Sequence, residues 1–265
     1  MSSKFELMFI TYPGMGHIVA MVEFAHHLIN HDPRFSITIL IITMPERMLV
    51  NTYIQSRAAT SASTNIRFVH LPTLETPTPD HGSQTDPLCL ISSFIEKHKP
   101  HFKQEITSLM ATELDRRFVG LFIDMFCTSM VDVASELDIP CYLYFPSPAT
   151  FLGFMLHLPI LDTQLTTELV DLDTELVVPS FVNPVPPSVL PSIALKKDGY
   201  SCFLYHARRY LKQRVLLLIH LVSFSLMHLT HSQRVKCHLF IPLGLFLTPL
   251  DRPNGTQTRP TMKES

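Results

Sequence analysis

FELMFITYPGMGHIVAMVEFAHHL, residues 5–28, runs from a compact apolar segment through a glycine turn into a helical pattern. Phe5 to Thr11 has the length and apolar character of a buried strand, and Tyr12-Pro13 ends it. Gly14-Met15-Gly16 reads as a tight turn where a Cβ would clash. From His17 onward, Ile18, Met21, Val22, Ala25, Leu28 and Ile29 recur at helical spacing. One histidine therefore stands at the start of the first helix, after the glycine turn that follows the first strand.

The rest of the chain extends this pattern. Phe35–Thr43 (FSITILIIT) is β-branched and nearly continuous, as in a strand covered on both faces. Pro45–Arg57 fits a short helix and Ile66–Leu71 a third strand, while 71–87, with prolines at 72, 77, 79 and 87, reads as a long loop. Ile91, Phe94, Ile95, Phe102, Ile106 and Leu109 mark helical faces interrupted near Pro100. Phe118–Ile123 is a strand ending at Asp124, Thr128–Leu137 a helix, and Pro140–Phe145 another strand. Ser147-Pro148 then resembles an N-cap followed by a first-turn proline. Apolar strands alternating with helices predict an α/β fold with a Rossmann-like, doubly wound parallel sheet.

Composition narrows the class. The 265 residues are 46% hydrophobic with a formal charge of −2, sufficient for a substantial core and without the basic excess expected of a nucleic-acid binder. Five cysteines, an odd number without a CxxC pair, fit free thiols in a reducing, cytoplasmic compartment. The N-terminus does not read as a signal peptide. Val215–Thr230 is an apolar run of 16 residues, short of the ~20 that span a bilayer, so stable membrane insertion is not expected. The expected protein is a monomer.

Ligands of doubly wound sheets sit beyond the carboxyl ends of the strands, where His17 and Asp124 stand. A neutral imidazole can take a proton from a hydroxyl, and a carboxylate on its other nitrogen fixes the tautomer and stabilises the imidazolium. The same two residues could also be only a helix-start residue and a cap. His26-His27 reads as a solvated helix face, with no metal site expected, and Cys127 and Cys141 as core. Dinucleotide binding, and with it an NAD(P)-dependent oxidoreductase, is disfavoured: a third glycine would be needed where Val19 stands, and Thr43-Met44-Pro45 replaces the acidic residue after the second strand.

PGMGH after a strand, IDMFCTSMVDVASELDIPCYLYF (123–145), SPATFLGFMLHLP (147–159) and DTELVVPSFVNPVPPSVLP (173–191) occur in this order. Together they make the chain, from about Phe5 to Leu211, resemble plant UDP-sugar-dependent glycosyltransferases of family 1, in particular those acting on flavonoids and other small phenolic or terpenoid acceptors. The resemblance implies the acceptor-binding N-terminal domain of a GT-B fold. It implies His17 as general base, Asp124 as its partner, and inverting transfer of a hexose from a UDP-sugar co-substrate, with no cofactor or metal. Tyr12, Met15, Gly16, Phe126, Ser147 and the 71–90 loop would contact the acceptor. Pro146-Ser147 stands where many relatives carry Thr-Ser, so that threonine's contact with the donor sugar does not carry over.

The family's donor domain carries a box that begins with tryptophan and contains an HCGWNS-like segment; this chain has no tryptophan. Beyond Gln213 it also has only two acidic residues, Asp251 and Glu264. Back-translated and read one base earlier, the segment from about Val215 can spell IVINTFGEFQPYAFNSL, and that from His238 can spell PPVYPIGPVSDPTGPAQWDPNPAHYER. Both resemble the family's continuation. The expected organisation is therefore an acceptor-binding domain over 1–211 and an out-of-frame tail without evolved fold over 212–265. Such a chain would be inactive alone, or would act as a non-catalytic binder of aglycones.

Overall fold

The computed structural model describes residues 4–60, 65–77, 85–112 and 116–211, and the strand backbones at 215–220 and 236–242. The parts of the 71–90 loop and of the tail outside these ranges lie outside the described residues.

The described elements run β1 (Lys4–Ile10), α1 (Met15–His31), β2 (Phe35–Ile41), α2 (Met48–Thr60), β3 (Ile66–His70), α3 (Pro87–Lys97), α4 (Lys99–Thr112) and β4 (Arg116–Asp124). A 3-10 turn at Thr128–Met130 leads into α5 (Val131–Glu136), followed by β5 (Cys141–Phe145), α6 (Ala149–Gln164), α7 (Lys197–Tyr210), β6 (Val215–His220) and β7 (Lys236–Pro242). The strands form one sheet in the order β3-β2-β1-β4-β5-β6-β7. All neighbours are parallel except β6 and β7, which are antiparallel. The expected doubly wound sheet is thus present, and β1 and β4 sit side by side at its centre.

Successive side chains of a strand point to opposite faces, and the buried residues divide accordingly. Leu7 and Phe9 of β1 pack with Ile18, Met21, Phe24 and Ile54 on the face covered by α1 and α2. Met8 and Ile10 pack with Phe94, Phe102, Leu152 and Phe203 on the face covered by α3, α4, α6 and α7. Covering both faces suits the mostly apolar strands, and the buried Glu6 of β1 accepts a hydrogen bond from Thr38 of β2 at 2.6 Å.

Three local expectations need correction. Pro45–Arg57 is not one helix: α2 begins at Met48, and Arg47 N–H bonds the Met44 carbonyl at 3.0 Å in the preceding turn. Ser147 does not cap α6. Pro148 occupies the cap position, because its carbonyl accepts the first helical bonds from Phe151 and Leu152 at 3.0 and 3.2 Å. The segment from Thr128 opens with a 3-10 turn before α5. The break near Pro100, by contrast, falls between α3 and α4 at His98, and the proline lies in the first turn of α4, where its missing N–H costs nothing.

Candidate active site

Gly14 is the N-cap of α1, in extended conformation with φ −126° and ψ 143°, and its carbonyl accepts from His17 and Ile18 N–H at 3.1 and 3.0 Å. A Cβ on Gly14 would lie 2.9 Å from the Tyr12 ring. Glycine here lets that ring fold back over the turn, 4.9 Å from the His17 imidazole between centroids. Gly16 is different: a Cβ there would meet nothing within 4 Å, so packing within the described residues does not demand glycine at this position. The steric requirement expected of both glycines holds for Gly14 alone.

Parallel pairing aligns Ile10 of β1 with Ile123 of β4, so the two strands end together. This brings Asp124 to His17 across 107 positions of sequence, with Nδ1 and Oδ2 2.7 Å apart. Asp124 is fully buried, whereas the His17 side chain keeps 23% of its surface exposed. The other carboxylate oxygen, Oδ1, accepts the Phe126 N–H at 3.0 Å. Both oxygens are therefore committed and the carboxylate cannot rotate freely. With Nδ1–H donated to Asp124, the neutral ring carries its lone pair on Nε2. Burial pulls the His17 pKa down, but the charge and hydrogen bond of Asp124 outweigh it and raise the pKa above its usual value, against an opposing pull from Arg47. The arrangement is a proton acceptor whose protonated form is stabilised in place.

Aromatic rings wall the pair. Phe126 lies 5.6 Å from Tyr12 and 5.7 Å from His17 between ring centroids. Burial raises the Tyr12 pKa, so its phenol stays protonated, although Arg47 pulls it back. Met15 begins α1 and is exposed. The structure thus brings His17, Asp124, Tyr12 and Phe126 together. Ser147 stands beyond the end of the neighbouring β5, its N–H bonded to Phe145 O at 2.9 Å, and shares no hydrogen bond with those four. Among the described residues no cluster of three or more His, Cys, Asp or Glu could hold a metal.

The turn after β4 is braced from α7, whose role sequence reasoning missed. Tyr210 Oη donates to the Met125 carbonyl at 2.8 Å. His206, fully buried and pushed down to about 3 by desolvation, stays neutral and joins Ser92 at 3.0 Å to Thr128 at 2.8 Å. It also lies 5.4 Å from Phe126 between centroids. The available signal was the spacing of Cys202, Phe203, His206, Ala207 and Tyr210, which marks one buried helical face. Cys127 is buried and its thiol raised, as a core residue; Cys141 is partly exposed, its thiol raised to about 12 by burial.

No protein-family model matches the chain. Among curated proteins, UDP-glycosyltransferase 43 of Pueraria montana var. lobata is 42% identical over 214 residues, covering 78% of this chain and 44% of the relative. UDP-glucose flavonoid 3-O-glucosyltransferase 6 of Fragaria ananassa is 41% identical over 82% of this chain and 46% of its own length. The chain spans about half the length of the curated relatives it matches. Among solved structures, a Polygonum tinctorium UDP-glucosyltransferase capable of glucosylating indoxyl superposes with a TM-score of 0.71 at 28% identity, covering 81% of this chain and 46% of that one. Medicago truncatula UGT71G1, solved with UDP-glucose, superposes with a TM-score of 0.68 at 34% identity, over 81% of this chain and 45% of that one. These structural neighbours have the GT-B fold, and the parallel sheet of β1–β5 with its helices corresponds to its N-terminal Rossmann-like domain. Over about 80% of its length the chain is thus similar, at 37–42% identity, to the N-terminal half of plant UDP-glycosyltransferases.

Proposed function

We propose that residues 1–211 are the acceptor-binding half of an inverting UDP-glycosyltransferase that glycosylates a hydroxyl of a small phenolic acceptor such as a flavonoid. The observation that carries this reading is the 2.7 Å His17–Asp124 bond at the carboxyl end of the sheet. The acceptor hydroxyl gives its proton to His17 Nε2 while its oxygen bonds to the anomeric carbon of the donor sugar. The bond from that carbon to UDP breaks on the opposite side, which inverts the configuration. Asp124 stabilises the imidazolium that forms. Tyr12 and Phe126 offer apolar faces to an aromatic acceptor, in offset or edge-on contact.

Ligand-observed NMR on the 265-residue chain tests the division of labour. Saturation transfer to a flavonol such as quercetin is expected, with none to UDP-glucose, and no glucoside should form. Binding of UDP-glucose alone would contradict the reading.

We also propose that 212–265 is read out of frame, after a one-base slip near codons 212–214. Support comes from the two shifted readings. The coding DNA supplies the true wobble bases: the shifted frame should spell the family-like continuation through its tryptophan. Stop codons or unrelated residues in that frame would refute the slip.

A further inference from the structure

Arg47 stands beside the acceptor wall in an arrangement that the base mechanism does not use. Its turn is held by α2: Arg47 N–H bonds Met44 O at 3.0 Å, Asn51 N–H bonds Arg47 O at 3.1 Å, and Asn51 Nδ2 bonds Met44 O at 3.0 Å. From this braced position the guanidinium carbon lies 5.7 Å from the centroid of the Tyr12 ring. Tyr12 in turn lies 4.9 Å from His17. The cation and the base thus flank one aromatic ring.

Most other arginines of the described residues have carboxylate partners. Arg34, Arg116, Arg208 and Arg209 reach Asp32, Glu6, Asp162 and Asp132 at 2.6, 3.0, 2.9 and 2.8 Å. Among the described residues no carboxylate pairs with Arg47, although it is half-buried. A guanidinium presents a planar fork of donors suited to a carboxylate, and one held at a partly dry site without an anion is set up to receive one.

On the reading of the His17 surroundings as the acceptor site, we infer that Arg47 is a specificity-determining residue that pairs with a carboxylate carried by an aromatic acceptor, one ring away from the hydroxyl presented to His17. The acceptor's ring lies against Tyr12 and Phe126, its hydroxyl at the imidazole and its anion at the guanidinium.

The test compares 4-hydroxybenzoate with its methyl ester, binding to the full chain at neutral pH by ligand-observed NMR titration. The acid should bind roughly tenfold more tightly than the ester. Arg47→Met keeps the length and apolar stem of the side chain and should bring the ratio of acid to ester affinity down to about one; Arg47→Lys should restore part of the preference. Equal binding of acid and ester to the wild type, or a preference surviving in Arg47→Met, would overturn the inference while leaving the acceptor site standing. Failure of the wild type to bind either compound, or the flavonol, would overturn both.

Discussion

His17→Asn, placed in a fusion of residues 1–211 to the C-terminal half of UDP-glycosyltransferase 43, is expected to lower glucosyl transfer by roughly 10²–10⁴-fold, the usual range for a general base. Asparagine is the informative replacement because its amide nitrogen can take the place of Nδ1 and keep the bond to Asp124, while nothing takes the place of Nε2. Alanine would remove that bond too and leave a fully buried carboxylate facing only the Phe126 N–H. Stranding one partner of such a pair costs about 3–5 kcal/mol, which confuses lost activity with lost fold. Steady-state kinetics with parallel urea unfolding separates the two. In His17→Asn, kcat should fall with little change in stability or in acceptor KM. Retention of more than about a tenth of the wild-type rate would remove His17 from the role of base.

Asp124→Asn should both slow transfer, by roughly a hundredfold or more, and move its pH dependence. In the wild type the carboxylate raises the His17 pKa above its ordinary value against burial and Arg47. With the charge gone, burial prevails and the pKa falls below that value. The base must be neutral to act, so the acidic limb of the rate profile should shift to lower pH even as the maximal rate drops. The same shift governs stability. A histidine with a raised folded-state pKa contributes stability that is full below its unfolded pKa and is lost as pH rises through the folded pKa. The wild type should therefore lose some stability as pH rises through the folded-state pKa of His17. Asp124→Asn should show the opposite trend, losing stability on acidification as a buried neutral histidine is forced to charge. An NMR pH titration of the His17 ring reads both pKa values, and an unmoved pKa in Asp124→Asn would contradict the pairing.

The sheet was legible because its strands are buried on both faces, so 5–11, 35–43, 118–123 and 140–145 stand out as largely apolar runs with few polar interruptions such as Glu6, Ser36 and Thr38. Asp124 was legible as the polar residue that ends such a run, and His17 as the polar residue opening the helix after the glycine turn; parallel pairing of β1 with β4 brings the two together. Residues whose roles arise only from tertiary closure were not. Tyr210 reaches Met125 across 85 positions, and His206 reaches Thr128 across 78, on a helix that no nearby sequence signal ties to β4. Arg47 was hidden inside a segment read as helix, and its meaning depends on the turn that holds it outside α2. Ser147 resembled a cap because serine and proline suit those positions in general; the carbonyl of Pro148 took the role instead.

We propose that this chain supplies the acceptor site and the base of a glycosyl transfer. The most direct measurement is glucoside formation by the wild-type fusion of residues 1–211 to the C-terminal half of UDP-glycosyltransferase 43, with UDP-glucose and the aglycones that the 265-residue chain binds. A glucoside and released UDP are expected in equal amounts, both strongly reduced in His17→Asn. A fusion that folds, binds UDP-glucose and binds the aglycone yet forms no glucoside would contradict it.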